Sequence, residues 1–142
     1  MAADAPSKLY SPQLLALSTV LADYPLDTNF TFVAEERSRT CGSTIRIGID
    51  LSEDGAIRRL GMQVSACAVG QSSAAILAQS ASGLPKEALF KARAEVEAWL
   101  VGAGPLPLWP GFDALEPALP HKGRHGALLL PWTAALNALS TV

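Results

Sequence analysis

The sequence predicts an α+β fold, in which a three-stranded antiparallel sheet packs against helices on one of its faces. Two runs, residues 43–51 and 56–66, alternate apolar and polar side chains with the period of two that half-buried strands show. The four residues between them, SEDG at 52–55, have the composition of a tight turn, so the two runs form a hairpin. Segments with helical periodicity precede and follow the strands, and helices are what cover the apolar face of such a sheet.

Length and composition limit the function classes. The chain has 142 residues and a mass of 14.9 kDa, which predicts a single domain over residues 1–142 with a Pro/Gly-rich connection at about residues 102–126. An apolar share of 49% and a charged share of 17% argue against intrinsic disorder. The net charge of −2 gives no global attraction for nucleic acid. No apolar run approaches the length of about 20 residues that crosses a bilayer.

The expected compartment is the cytoplasm. The first ten residues lack the charged start and the apolar block of a secretory signal peptide. Two cysteines do not make the disulfide framework of a small secreted domain. We therefore expect a cytoplasmic protein with no nucleic-acid partner and no membrane partner.

The first half of the chain is predicted to form a helix and then the sheet. Ser11 is a favourable N-cap with Pro12 at the first helical position, and Pro25 ends the helix. The apolar face of this helix consists of Leu14, Leu17 and Leu21. A first strand is expected at residues 30–38, with its charges at its exit. The inward faces of the next two strands consist of Ile45, Ile47, Ile49 and Leu51, and of Leu60, Met62, Val64 and Ala66.

The second half is predicted to be helical. A helix rich in alanine and serine spans residues 69–82 and ends at Gly83, and its small side chains are expected to bring it very close to the sheet. Pro85 opens another helix, whose buried stripe consists of Leu89, Ala92, Val96 and Trp99. One short helical turn is expected to pin the Pro/Gly-rich connection through Phe112, Leu115 and Leu119. The last helix begins at Leu128 or Pro131 and ends near Leu139, with inward residues Trp132, Leu136 and Leu139.

Two cysteines fall at the ends of predicted elements. Cys41 lies between the first two strands, and Cys67 lies where the third strand ends and the next helix begins. A thiolate at a helix N-terminus is stabilised by the helix dipole and by amides without helical partners. One such cysteine alone is more often a small buried hydrophobe. Two at strand ends in a small α+β domain indicate a shared site, although their spacing matches no zinc finger.

His125 is a third candidate, in a short basic segment just before the predicted last helix. From the residues alone, a surface position and a functional role are equally open for a loop histidine. The sequence has no Gly-x-Gly-x-x-Gly pattern and no Walker loop, so nothing in it is typical of a phosphate cradle. It also has no Gly-x-Ser-x-Gly elbow of a serine hydrolase.

Three segments in this order resemble the iron–sulfur cluster assembly scaffolds of the IscU, SufU and NifU N-terminal type. They are RTCGST at residues 39–44, SACAVGQSSAA at residues 65–75 and RHGALLLPW at residues 124–132. The resemblance extends over roughly residues 9–139 and is interrupted by the Pro-rich stretch. It implies an IscU/NifU N-terminal-like fold and a non-enzymatic protein that receives sulfur from a cysteine desulfurase, builds a [2Fe–2S] cluster and passes it to apo-proteins.

The resemblance also implies a ligand set. Such scaffolds usually hold the cluster, or zinc in many members, with three cysteines and an aspartate. Cys41 and Cys67 occupy the first two cysteine positions, and His125 stands beside the third. The third cysteine position itself is Gly126, and the position of the aspartate is Ser43. The expected ligands of iron, of a [2Fe–2S] cluster or of zinc are therefore Cys41, Cys67 and His125.

Two other function classes stay open at this point. The missing donors favour a metal-free interaction module of the same fold, which binds a cysteine desulfurase or another partner. The position of Cys67 at a helix start suits a thiol enzyme with His125 as the base, or a redox pair formed with Cys41.

Overall fold

Four α-helices and three strands follow one another in the part of the chain that the computed structural model describes, residues 11–27, 29–39 and 41–140. The elements are α1 (Pro12–Leu17), β1 (Phe32–Arg37), β2 (Thr44–Leu51), β3 (Ile57–Ser65), α2 (Ala68–Ala81), α3 (Lys86–Leu100) and α4 (His125–Leu139). Short 3₁₀ helices lie at Val20–Asp23, Phe112–Ala118 and Lys122–Arg124. The expectation about an export signal concerns residues 1–10, which lie outside the described residues.

The strands form the predicted antiparallel meander in the order β1-β2-β3. Ile45, Ile47 and Ile49 alternate along β2 and are at most 1% exposed, because they point into the helix layer. The turn between β2 and β3 is closed by a hydrogen bond of 2.9 Å from the Gly55 amide to the Ser52 carbonyl. Gly55 has a φ of +87°, in the left-handed region that favours glycine. The predicted α+β class is confirmed.

A segment between the first 3₁₀ helix and β1 covers part of the outer face of the sheet. Gly48 of β2 lies directly opposite Gly61 of β3, and the two leave a floor without side chains. The ring of Phe30 lies on this floor, and the Pro25 carbonyl lies directly over Gly61. The Arg59 guanidinium lies over the Phe30 ring, 4.0 Å from its centroid.

Asp50 ties the same segment to the sheet. Its carboxylate is 3% exposed and accepts hydrogen bonds from the Thr31 amide at 2.7 Å and from Arg59 Nε at 2.8 Å. Burial alone raises the pKa of Asp50, but the bonds from Thr31 and the pairing with Arg59 outweigh it, so the pKa lies below its ordinary value of 3.8. Asp50 is therefore a buried carboxylate that stays ionised and structural.

The helix layer differs from the sequence prediction in one respect. Helix α4, rather than α2, lies across the inner faces of β1 and β2, whereas α2 packs mainly on α4 and also contacts α1 and β3. The small residues of α2 therefore serve a close helix–helix contact: a Cβ placed on Gly70 would lie 3.1 Å from the Cβ of Ala127. The expected approach of α2 to the sheet is limited to β3, because the C-terminal helix lies across β1 and β2.

Helix α4 also begins earlier than predicted, at His125, and Pro131 lies inside it. Proline has no N–H, so Pro131 leaves the Ala127 carbonyl without its usual helical donor. That carbonyl faces Gly70 of α2, and a Cβ on Gly70 would lie 3.4 Å from its oxygen, an ordinary van der Waals distance. Pro131 is therefore an interior residue of the helix and not its first residue, which was one of the two predicted starts. Leu136 is half-buried, so it is not the core residue we had predicted.

Helix α1 is shorter than predicted, whereas the buried residues of α3 and of the Pro/Gly-rich connection match the prediction. Helix α1 ends already at Leu17, because the hydroxyls of Ser18 and Thr19 donate to carbonyls of the preceding turn. The buried residues of α3 are the four that periodicity predicts, Leu89, Ala92, Val96 and Trp99. Phe112 and Leu115 pin the Pro/Gly-rich connection as expected, since both are fully buried in a 3₁₀ helix.

Candidate functional site

Cys41 lies at the tip of the hairpin between β1 and β2. The Ser38 amide donates to the Ser43 carbonyl at 2.8 Å and closes the tip, and Gly42 turns the chain with a φ of +72°. The thiol is exposed, but the hydroxyls of two serines at the base of the loop lie within hydrogen-bond distance of its sulfur. The thiol donates to Ser38 Oγ at 3.4 Å, and Ser43 Oγ lies 3.0 Å from the same sulfur.

Cys67 is the N-cap residue of α2, with extended backbone angles. Its carbonyl accepts the first helical hydrogen bond, from the Gln71 amide at 2.9 Å, while its side chain caps no amide. The half-buried thiol therefore packs against the hydrophobic core at the positive end of the helix dipole. Neither cysteine is in a disulfide.

The strand register places the two cysteines at the same end of the sheet. Thr44 at the start of β2 is paired directly with Ser65 at the end of β3. Cys41 precedes Thr44 by three residues, and Cys67 follows Ser65 by two. The hairpin tip and the start of α2 are therefore neighbours in the topology, as a site shared by the two cysteines requires.

His125 is the first residue of α4, at the same end of the helix layer as Cys67. Gly70, one turn after Cys67, lies against Ala127, so the first turns of α2 and α4 run side by side. The ring Nε2 of His125 lies 2.8 Å from the Leu119 carbonyl oxygen and must donate to it, because a carbonyl only accepts. When the ring binds a metal ion, Nδ1 is therefore the nitrogen whose lone pair is available.

The thiol-enzyme interpretation gains no support from this geometry. In the described part of the chain, the histidine ring is bonded to the Leu119 carbonyl, and no hydrogen bond joins it to the Cys67 thiol. A nucleophile and its base need to lie within hydrogen-bond reach of each other.

The donor set at this end of the molecule is incomplete. Gly126 has no side chain, and Ser43 offers a hydroxyl that is already bonded to a sulfur. Within the described ranges, no group of three or more histidine, cysteine, aspartate or glutamate side chains is arranged to hold a metal ion. The assignment of Cys41, Cys67 and His125 as ligands therefore stays a prediction.

A polar recess of about 500 Å³ borders the hairpin that carries Cys41. It is lined by Glu35, Glu36, Arg37, Arg39 and Thr44. Both carboxylates are engaged: Glu35 pairs with Arg46 at 3.4 Å, and Glu36 accepts from Asn137 of α4 at 2.6 Å. Arg37 and Arg39 are exposed at the hairpin, so the rim of the recess next to the Cys41 loop carries positive charge.

Sequence reasoning missed Ser38 and treated Ser43 only as a poor ligand. The pattern that was available is a serine at each end of a short loop around the cysteine, at residues 38 and 43. A hairpin that closes between these two positions brings both hydroxyls beneath the residue at the tip. Only the closure of the loop, which the sequence does not specify, makes this pattern informative.

Comparisons with known proteins rest on structure. No family model matches the chain, and no curated protein matches its sequence. A NifU-like protein (N-terminal part) from Brucella abortus, described as nitrogen-fixing, has a TM-score of 0.88 and 25% identity over 96% of this chain and 95% of its own. A structure described as an iron–sulfur cluster assembly scaffold protein for the SUF system, from Fervidobacterium islandicum AW-1, has a TM-score of 0.84 and 18% identity over 92% of this chain and 96% of its own.

A third solved structure, described only as a hypothetical protein, is more distant. Its TM-score is 0.64, with 20% identity over 86% of this chain and 94% of its own. The first two similarities confirm the predicted NifU N-terminal-like fold. In addition, no helix in the described part of the chain is long and apolar enough to span a bilayer.

Proposed function

Because the chain has the fold of the IscU/SufU/NifU-type scaffold family, we propose that it is a scaffold-type protein of iron–sulfur cluster assembly. Its cargo in this proposal is iron, a [2Fe–2S] cluster or zinc, held by Cys41, Cys67 and His125. A cysteine desulfurase supplies the sulfur, and apo-proteins receive the cluster. The observation that carries the proposal is the position of both cysteines at one end of the sheet in this fold.

The chemistry of the donors suits temporary binding. Thiolates are the ligands that iron–sulfur clusters and zinc prefer. The bond from His125 Nε2 to the Leu119 carbonyl is the kind of outer contact that fixes the tautomer of a ligating histidine. Two thiolates and one imidazole are one donor short of a closed tetrahedral set. Water, a small thiol or a partner residue fills the last position, and such incomplete ligation favours release to an acceptor.

The cytoplasm is the proposed compartment, because its reducing conditions keep both thiols available. The proposed role is binding and transfer without catalytic turnover. It needs neither nucleic acid nor a membrane.

Anaerobic reconstitution with ferrous iron and sulfide tests the proposal. We expect a coloured product with bound iron, or zinc in the protein as purified. Cys41→Ser and Cys67→Ser each abolish the binding, and His125→Ala weakens it. His121→Ala, which changes the other histidine of the chain, is the matched control and leaves binding intact. A wild-type protein that stays colourless and contains no iron and no zinc contradicts the proposal.

A metal-free interaction module is the second candidate, and the incomplete donor set favours it. In this interpretation the fold is kept to bind a cysteine desulfurase or another partner. Capture of a cysteine desulfurase by the double variant Cys41→Ser, Cys67→Ser, with cellular function intact, supports the module. Loss of function in that variant while capture persists supports the scaffold.

A further inference from the structure

The sulfur of Cys41 is held between two hydroxyls that are themselves inside the protein. Ser43 is 5% exposed and Ser38 is 7% exposed, whereas the cysteine between them is exposed. Ser43 Oγ lies 3.0 Å and Ser38 Oγ 3.4 Å from the sulfur. Buried hydroxyls are nearly always hydrogen-bonded, and here the thiol at the tip is a partner of both.

The backbone of the hairpin produces this convergence. The bond from the Ser38 amide to the Ser43 carbonyl fixes the two serines opposite each other at the base of the loop. Gly42 takes the left-handed conformation that returns the chain from the tip to β2. Because the base of the loop is buried and the tip is exposed, both hydroxyls point outward to the sulfur.

We propose that Ser43, supported by Ser38, is a positioning residue that holds the Cys41 sulfur in the orientation in which it meets an incoming metal ion or cluster. This inference rests on the proposed function. A serine hydroxyl is a poor ligand for iron or zinc beside thiolates, but it is a good hydrogen-bond donor to a sulfur that is itself a ligand. Ser43 therefore acts through Cys41 and does not itself bind the cargo.

The first test measures the orientation of the thiol without any metal. Three-bond NMR couplings report whether the Cys41 side chain occupies one χ1 rotamer or averages over several. We expect one rotamer in the wild-type protein and averaging in Ser43→Ala. Ser43→Thr keeps the hydroxyl and restores the single rotamer. Ser65→Ala, an exposed serine at the same end of the sheet, is the control and changes nothing. A single rotamer in Ser43→Ala overturns the inference.

The second test measures affinity by competition with a zinc chelator. Loss of an outer hydrogen bond to a ligand weakens metal binding by about tenfold or more. We expect that loss in Ser43→Ala, recovery in Ser43→Thr and wild-type affinity in Ser65→Ala. Equal zinc affinity in Ser43→Ala and the wild type contradicts the positioning role. If the wild type binds no zinc, iron or cluster, the proposed function fails, while the rotamer measurement still decides whether Ser43 positions the thiol.

Discussion

Ser73→Ala is predicted to destabilise the protein through the indole of Trp132. Ser73 lies in the middle of α2 and is completely buried. Its hydroxyl donates to the Leu128 carbonyl at 2.6 Å and accepts from Trp132 Nε1 at 2.9 Å. Alanine leaves the indole N–H without this acceptor in the interior, and a buried donor without a partner costs about 1–3 kcal/mol. The change removes a single oxygen, so the cavity contribution is small.

Urea unfolding followed by tryptophan fluorescence measures this cost. With a slope of about 1–3 kcal/mol/M, a loss of about 2 kcal/mol lowers the unfolding midpoint by roughly 1 M. We expect the slope itself to stay the same, because the surface exposed on unfolding does not change. Ser80→Ala, a half-buried position on the same helix, is the control and changes the free energy of unfolding by less than about 0.5 kcal/mol.

A double-mutant cycle isolates the hydrogen bond. Trp132→Phe keeps an aromatic ring in the cluster with Trp109, whose ring lies edge-on at 5.0 Å, but it removes the N–H. In that background Ser73→Ala leaves no indole donor without a partner, so its cost falls by about 1 kcal/mol or more. An equal cost of Ser73→Ala in both backgrounds would refute the reasoning.

Three further changes test other parts of the structure. Because the folded-state pKa of Asp50 lies below 3.8, its carboxylate contributes stability above that pH, which is lost as the pH falls through the lowered pKa. Asp50→Asn should therefore flatten the acid side of a plot of Tm against pH, and an unchanged acid side would contradict this. Gly61→Ala brings a methyl group against the Pro25 carbonyl and costs about 1–3 kcal/mol. Gly123→Ala, which meets nothing within 4 Å, stays within about 0.5 kcal/mol, and equal Tm values for the two alanine variants would count against the close approach. Gly70→Val forces the first turns of α2 and α4 apart, so both Tm and metal binding should decrease. Retention of both would show that these two helix turns are not closely packed against each other.

The fold was predictable where one periodicity and one buried face coincide. The stripe of α3 and the alternation of β2 follow directly from amphipathic patterning, and the structure confirms both. The start of α4 was not predictable in this way, because Pro131 is an ordinary first-turn residue by local rules. The helix continues through Pro131 where it packs against α2, and such tertiary packing leaves no local pattern.

In the candidate site, too, one feature was predictable from the sequence and another was not. That Cys41 and Cys67 lie at one end of the sheet follows from the order of the elements, because a meander returns its third strand beside the hairpin tip. The hydroxyls around Cys41 do not follow from that order. They depend on how a loop between residues 38 and 43 closes, and a glycine in the loop permits several turn conformations.

The charge of the donor set connects the structure to the proposed transfer. The ligand set that the resemblance implies, three cysteines and an aspartate, brings four negative charges to a bound cation, whereas the proposed set of Cys41, Cys67 and a neutral His125 brings two. Since attraction for a cation scales with ligand charge, this chain should hold metal less tightly than a complete set and exchange it faster. Metal affinity of a donor set with fewer negative charges depends more on how its side chains are oriented, because the electrostatic attraction that favours the binding rotamer of a thiolate is smaller. In our proposal the buried hydroxyls next to the Cys41 sulfur supply that orientation, with Ser43 Oγ 3.0 Å from the sulfur.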